Sequence, residues 1–422
     1  MSQRNDRVVS KWIDDADIRP ESWQKENGRW AAPQHYTCSY LAMFPPQLPH
    51  YFISRFTRKG DIVLDPFSGR GTTPVQAMSQ SRFGIGNDLN DLAYCLTRGK
   101  IANPRLEDVA SRLEELEAGF VEDEWKSITG VPRKIRMIFH ISTLRHLLYL
   151  KRELDWRGDE VDGFLTMVLM GAMHGSSPGF LSVPMPNTFS MGWNYVKKYI
   201  EKNGLKKPKR DAFEVIRDRC YRFLSMGVLP GEGRAIHGDV RRIAEAGIEP
   251  GSVKMIFSSP PYLKVIKYGL YNWIRLWWLI DDYTEVDEKL DDSHSLDAYL
   301  DFMAEVLEAT LPLLNPNEGM ACWVIGDVND LNLAECVWES VASKIRAESS
   351  DGSILSYEKL GIVEDRILDT EKVTRIWKSS EGDKAGRATP VDRILLLTVK
   401  GSEVPVYLQN DEVVWNPISS EN

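Results

Sequence analysis

DIVLDPFSGRGTTPVQAMSQSRFGIGND, residues 61–88, carries a change of hydrophobic period that organises the rest of the chain. DIVLD is a short apolar run of the kind that forms a buried strand, and it runs into a glycine-rich turn. Thr73–Ser81 (TPVQAMSQS) then has helical character, and Arg82–Gly86 is a second strand that ends in Asn87-Asp88. This is the opening of a βαβ unit. The glycines let the backbone turn tightly and approach a ligand, and the helix that follows offers unpaired N–H groups. The segment has no GxxxxGK[ST] lysine, and Pro74 stands where a GxGxxG pattern needs its third glycine. The occupant it points to is a nucleotide-like ligand without a pyrophosphate; a purely structural turn is the alternative. Asp88, 23 residues after Asp65, is placed to accept the two hydrogens of a ribose diol, or to cap a helix.

Working outward, residues 1–30 are polar, with Trp12, Trp23 and Trp30 as bulky anchors, and read as an arm that docks on a later domain. Residues 31–104 form the first part of a catalytic domain. Residues 105–230 are a helical insertion in which RLEDVASRLEELEAGF, ISTLRHLLYLKREL, VDGFLTMVLMGAM and AFEVIRDRCYRFLSM space apolar residues by three and four. Within it, Gly175 to Arg210 is a loop-rich piece, of a length that is usually functional or disordered. Strand patterns return in residues 231–400, at Arg234–Asp239, Val253–Ser258, Met320–Asp327, Ile354–Ile367 and Val391–Lys400, with a helix around Ser295–Leu314; residues 401–422 form a tail. Strands alternating with helices predict an α/β fold, a doubly wound and mostly parallel sheet, interrupted by an all-helical insertion domain.

Composition narrows the function. The 422 residues are 43% hydrophobic and 27% charged, the balance of an ordinary globular chain of two or three units. Phe164–Met173, the longest strongly apolar run, is too short to span a bilayer, and the first residues have no basic-then-apolar leader pattern, so the expected compartment is the cytosol. Five scattered cysteines without CxxC spacing, and histidines without HExxH or HxE…PCxxC patterns, give no disulfide framework and no metal site. The net charge of −9 disfavours nucleic acid as a whole-chain property. Lys197–Arg210 (KKYIEKNGLKKPKR) is the exception, with seven basic residues against Glu201: a local +6 that leaves the remainder at −15. A solvated helix end and turn is its ordinary reading.

A second motif, Ser258-Ser259-Pro260-Pro261-Tyr262, follows the strand VKMIF. Two prolines fix φ and stop the ladder, so the chain leaves the sheet stiff and extended. An exocyclic amine on a nucleobase is a poor nucleophile because its lone pair is conjugated with the ring. Methylating it requires acceptors for its hydrogens and a flat surface for the base. The Ser259 hydroxyl and Pro260 carbonyl can be those acceptors, and Tyr262 can stack on the base; a loop anchor or a short proline-rich ligand is the alternative reading.

DPFSGRGTT followed by SSPPY resembles the S-adenosylmethionine-dependent DNA amino-methyltransferases, which act on cytosine N4 or adenine N6; the Ser-Pro-Pro-Tyr form is most typical of the cytosine members. HYTCSYLAMFPPQLP (35–49) is similar to the family's other cofactor motif. The resemblance covers about His35–Asn103 and Arg234–Lys400. It implies a Rossmann-like methyltransferase fold with S-adenosyl-L-methionine as cofactor. Tyr36, Phe44 and Pro45 would lie over that cofactor, Asp65, Pro66, Phe67, Gly69, Gly71, Thr72 and Thr73 along its methionine and ribose side, Asp88 and Leu89 at the ribose, and Asp239 and Val240 near the adenine. Ser259, Pro260, Pro261 and Tyr262 would form the target-amine site. Double-stranded DNA is the implied substrate, with a flipped base, and a separate cognate restriction endonuclease in a bacterial cytoplasm is the implied context. Lys197, Lys198, Lys206, Lys207, Lys209 and Arg210 are then candidates for phosphate contacts, and Asn187, Trp193, Asn194 and Arg210 for base readout. Methylation at cytosine C5 is not expected, since none of the five cysteines follows a proline. Serine at 259 leaves adenine or RNA open, and a non-catalytic subunit of a modification system is the alternative of a different class. The aromatics of Tyr268–Trp278 are candidates to line the target pocket, but their period of three to four equally fits a helix packed on the sheet, and most are expected to be core.

Overall fold

The computed structural model describes residues 10–24, 31–40, 44–175, 179–185, 190–261, 268–289, 295–327, 331–349, 351–366 and 391–407. Its spine is one sheet of eight strands: β1 (Ile62–Asp65), β2 (Phe83–Asp88), β3 (Gly233–His237), β4 (Val253–Ser258), β5 (Met320–Gly326), β6 (Arg346–Glu348), β7 (Ile354–Arg366) and β8 (Val391–Val399). They lie in the order β3-β2-β1-β4-β5-β8-β7-β6. Pairings from β3 through β5 are parallel, whereas β5–β8, β8–β7 and β7–β6 are antiparallel. The expected doubly wound, mostly parallel sheet is therefore present, with an antiparallel extension at one edge.

Sixteen α-helices are described. They are α1 (Lys11–Asp15), α2 (Glu21–Gln24), α3 (Gln47–Phe56), α4 (Thr72–Ser79), α5 (Asp91–Ala102), α6 (Leu106–Ala118), α7 (Arg133–Arg136), α8 (Ile141–Glu153), α9 (Glu160–Met173), α10 (Trp193–Asn203), α11 (Ala212–Leu224), α12 (Tyr268–Tyr271), α13 (Trp273–Ile280), α14 (Thr284–Lys289), α15 (Leu296–Thr310) and α16 (Leu333–Ser340).

The central strands are largely apolar because both faces are covered; the exceptions are Asp65 at the end of β1 and Lys254 and Ser258 on β4. Period two assigns each residue to a face. Val63, Met255, Phe257, Cys322 and Ile394 pack with Phe52, Ile53 and Phe56 of α3. Their neighbours Leu64, Ile256, Trp323 and Leu395 pack on the other side with Met303, Val306 and Leu307 of α15. The N-terminal residues join the α3 side: Trp23 is buried against Tyr51 and Phe52, and its indole donates to Asp365 Oδ2 at 3.1 Å. Trp30 lies outside the described residues.

Between Leu106 and Leu224 the described elements are helical. Their apolar stripes merge with those of α5 and α13 into one core, in which α9 contributes Phe164, Leu165, Met167, Val168, Leu169 and Met170. That is why the Phe164–Met173 run is hydrophobic all round. Within the loop-rich piece Gly175–Arg210, α10 occupies Trp193–Asn203, so the basic segment starts on a helix end and turn; Trp193, Val196 and Ile200 recur at helical spacing and turn toward this core. Asn187 lies outside the described residues.

Candidate functional site

In the order β3-β2-β1-β4-β5 the connections reverse direction between β1 and β4, and in open α/β sheets the crevice beyond the carboxyl ends at that point is where ligands bind. Both motifs emerge there. β1 ends at Asp65 and leads into the glycine turn; β4, its neighbour, ends at Ser258 and leads into Ser259, Pro260 and Pro261.

The glycine turn is held by short-range bonds. The Ser68 amide donates to Asn87 O at 2.8 Å, the Gly71 amide to Ser68 O at 2.6 Å, and the Asn87 side chain to Pro66 O at 3.0 Å. Gly69 and Gly71 take φ of 51° and 78°, the left-handed region that a side chain disfavours. A Cβ at Gly71 would also meet Thr97 Oγ1 at 3.0 Å. Gly71 directly precedes α4, so the turn places that helix's first N–H groups at the crevice. Thr73, in the first turn of α4, donates its hydroxyl to Phe257 O on β4 at 3.1 Å. Beneath the loop the buried Lys100 donates to Arg70 O. Burial, with Arg70 close by, pushes the Lys100 ammonium well below its ordinary pKa.

Two carboxylates face the crevice. Asp65 is 1% exposed; it accepts the Ser258 hydroxyl at 2.5 Å and the Phe67 amide at 3.2 Å, so this one oxygen, Oδ1, ties the first motif to the second. Burial pushes it up to about 7 against the pull of those donors. Asp88 accepts the amides of Gly69 and Asn90, each at 2.9 Å, and burial raises it to about 6. Among the described residues neither has a cationic side-chain partner. A ligand that brings positive charge and hydroxyl donors would satisfy both.

The aromatic cover of this region pairs Tyr40, which sequence reasoning passed over, with Tyr268 of the aromatic segment 268–278. The Asn90 side chain donates to Tyr40 Oη at 3.0 Å, which brings the Tyr40 ring over the glycine turn, 3.6 Å from where a Gly69 Cβ would stand. Tyr40 stacks on Tyr268 of α12 with centroids 5.7 Å apart and planes at 21°. The nearby Asp88 charge adds to burial in raising both phenols. The signal for Asn90 was present in NDLND, a helix-cap pattern; Tyr40 and Tyr36 are indistinguishable in a run of mixed aromatics.

The remaining expected residues are distributed as follows. Pro66, Phe67, Thr72 and Leu89 belong to the two turns just described, and the Phe67 ring rests on Phe302 of α15 at 5.8 Å. Phe44 meets Phe257 edge-on at 5.5 Å, and the Pro45 carbonyl accepts the Leu48 amide at the start of α3. Tyr36 closes a single 3-10 turn, Pro33–Tyr36, on the side of the loop facing Arg70. Asp239 caps the 3-10 segment Val240–Ala246 through the Arg241 amide and pairs with the Arg241 guanidinium, while Val240 is buried. The strand end that carries Asp239 is next to Asp88, since the Gly238 amide donates to Asp88 O at 3.2 Å and the His237 ring donates to Leu89 O at 3.1 Å. Ser259 and Pro261 are half-buried and Pro260 buried; Tyr262 lies outside the described residues. In the 268–278 segment Trp273, Trp277 and Trp278 are core, and Tyr268 alone reaches the glycine turn through Tyr40.

The basic segment lies on α10 and the turn after it. Lys197, Lys198, Lys206 and Lys209 are exposed; Lys207 donates to Arg136 O, and the Arg210 backbone is bonded to Thr143 Oγ1. Among the described residues no cluster of His, Cys, Asp and Glu has the form of a metal site, and no helix is long and apolar enough to cross a membrane.

The sequence model of a family described as DNA methylase matches residues 2–96. The chain is 31% identical over 137 residues to the Type II methyltransferase M.MjaII of Methanocaldococcus jannaschii, covering 31% of this chain and 25% of that protein. It is 33% identical over 131 residues to the Type II methyltransferase M.BglI of Bacillus subtilis, covering 26% of this chain and 38% of that protein. The matched stretches thus span well under half of either relative. An rRNA methyltransferase, aviRa from Streptomyces viridochromogenes, superposes over 90% of this chain and 94% of its own with a TM-score of 0.32 and 11% identity, too loose a likeness to carry an argument.

Proposed function

We propose, from the match of a DNA methylase family model to residues 2–96, that this chain methylates the exocyclic N4 amine of a cytosine flipped out of double-stranded DNA, with S-adenosyl-L-methionine as methyl donor. The observation that carries the reading is the Ser258–Asp65 hydrogen bond, which joins the glycine turn to the Ser-Pro-Pro exit at the switch point of the sheet. A cofactor pocket and an amine-accepting edge then share one crevice. The residues present fit the cofactor. Asp88 would take the ribose diol, and two carboxylates raised by burial gain from a ligand carrying sulfonium and ammonium charge. The bound cofactor supplies an electrophilic methyl group on sulfur.

The chain's own residues do the rest. Tyr40 and Tyr268 cover the pocket and exclude water from it. Ser259 Oγ and the Pro260 carbonyl accept the hydrogens of the target amine and aim its lone pair, so the reaction is governed by alignment rather than by a covalent intermediate. Pro260 and Pro261 hold those acceptors in place at no further conformational cost. Tyr262 supplies a face for the base. Lys197, Lys198, Lys206, Lys207, Lys209 and Arg210 lie in the segment that meets the phosphates.

The test is to incubate the purified protein with S-adenosylmethionine and unmethylated genomic DNA, digest to nucleosides and identify the product by mass spectrometry. N4-methylcytosine is expected. N6-methyladenine would overturn the choice of base, and no modified deoxynucleoside would overturn the DNA substrate.

A further inference from the structure

The outward face of α10 combines two chemistries that solvated helices ordinarily keep apart. Tyr195, Lys198, Tyr199 and Lys202 fall at i, i+3, i+4 and i+7, and so share one side of the helix. The tyrosine rings are stacked, with centroids 6.0 Å apart and planes at 16°. Tyr199 is half-buried against the helical core and backs Tyr195, which is 43% exposed. Lys198 and Lys202 are exposed, and neither has a carboxylate partner among the described residues; Lys197 reaches Glu201 only at 4.0 Å. Lysines alone suffice to meet duplex phosphates. A rigid aromatic pair kept in water between two cations is suited to more: stacking of a base that is no longer paired, with its neighbouring phosphates neutralised.

The inner side of α10 fixes where this platform sits. Trp193 meets Trp273 of α13 edge-on at 6.1 Å, the Trp273 indole donates to Met191 O at 3.0 Å, and the Ser190 amide donates to Tyr271 O of α12 at 2.7 Å. α12 opens with Tyr268, which stacks on Tyr40 over the glycine turn, and Asp287 of α14 caps it by accepting the Gly269 and Leu270 amides. The platform is therefore fastened to the element that borders the candidate target site.

We infer that the Tyr195–Tyr199 face of α10 is a binding site for unpaired DNA, in which the tyrosine pair stacks a base released from the duplex and Lys198 and Lys202 hold its flanking phosphates. The inference rests on the reading that DNA is the substrate. It makes a locally opened duplex, rather than a perfect one, the form of DNA this protein binds most tightly.

The experiment measures binding of the full-length protein to short labelled oligonucleotides by fluorescence anisotropy, with a perfect duplex, the same duplex with a central mismatch, and the single strand compared across salt concentrations. The wild type should prefer the mismatched duplex to the perfect one by about fivefold or more. Tyr195→Ser with Tyr199→Ser should abolish that preference without changing the salt dependence, and Tyr195→Phe with Tyr199→Phe should retain it. Lys198→Gln with Lys202→Gln should weaken every DNA form and flatten the salt slope by about 2. A wild type that methylates DNA but binds both duplexes equally, or a serine pair that keeps the preference, overturns the inference and leaves the proposed function standing. Tight binding confined to RNA, with no DNA methylation, overturns both.

Discussion

The crevice at the ends of β1, β2 and β4 and the outer face of α10 are both polar, yet they are organised in opposite ways. In the crevice each carboxylate is spoken for: Asp88 by two backbone amides, Asp65 by the Ser258 hydroxyl and the Phe67 amide. On α10, Lys198 and Lys202 stand in solvent without such partners among the described residues, and the tyrosines are fixed by each other. A preorganised buried group acts through its position, so the loss of one atom is felt at once. An exposed cation acts through a field that salt screens and that neighbouring cations share. One region is built for chemistry on a held group; the other becomes useful only when a polyanion arrives.

The sharpest way to break this contrast is Ser259→Ala. If alignment of the amine governs the reaction, methyl transfer should fall by roughly two to three powers of ten, in the range seen when one stabilising hydrogen-bond partner is removed from an active site, while cofactor affinity changes little. Single-turnover kinetics beside calorimetric titration of S-adenosylmethionine separates the two; equal activity in the variant would place Ser259 outside the crevice chemistry.

The pH dependence follows from the raised carboxylates. Because Asp65 titrates near 7 and Asp88 near 6 in the folded protein, the ligand-free fold holds protons that the unfolded chain releases at the ordinary carboxylate value. Their contribution to stability is full below about pH 4 and is lost as pH rises through 6 and 7. Binding of a cationic cofactor runs the other way, since it selects the ionised forms. Its dissociation constant should fall about tenfold between pH 6 and 7 and level off above that, with proton uptake by the buffer on binding. Titration calorimetry in two buffers of different ionisation enthalpy reads both quantities, and a flat profile would show that the carboxylates do not face the ligand.

On the other side of the comparison, Lys206→Gln with Lys209→Gln should lower DNA affinity similarly for every sequence and reduce the salt slope by about 2, leaving single-turnover transfer on saturating DNA unchanged. A loss of turnover at saturation would mean that the segment reaches the crevice itself. The smallest effect is expected at the joint between the regions. Trp273→Phe removes the donor to Met191 O and should cost about 1 kcal/mol of stability, read as a lower urea midpoint. It should also reduce the difference in affinity between mismatched and perfect duplex, because the platform on α10 is registered to the crevice through that contact.

Much of the crevice was legible in residues 61–88 and 253–261, because glycine at positive φ, proline at a strand end and an apolar run of strand length are local demands. The strand Val253–Ser258 was placed to the residue. The cover was not legible. Tyr40 and Tyr268 are 228 positions apart in the numbering and meet only because the segment after the Pro33–Tyr36 turn and α12 are brought together over the glycine turn. Asp239, which local sequence allows either to meet an adenine amine or to cap a helix, accepts the Arg241 amide as a cap and stands one residue from Gly238, whose amide donates to Asp88 O. α10 was hidden by its charges: the lysines that mark the segment as polar obscure the spacing of Trp193, Val196 and Ile200.

Composition and local pattern were enough to establish an α/β sheet, the two motifs and the order in which they occur, since these depend on torsions and periods that act over a few residues. Which strands are antiparallel, which tyrosine covers the glycine turn, and that Ser258 rather than a nearer residue holds Asp65 depend on contacts between positions far apart in the chain. Such contacts exist only once burial of the shared apolar faces has brought the elements together, so the energy that selects them is absent from any local stretch of sequence.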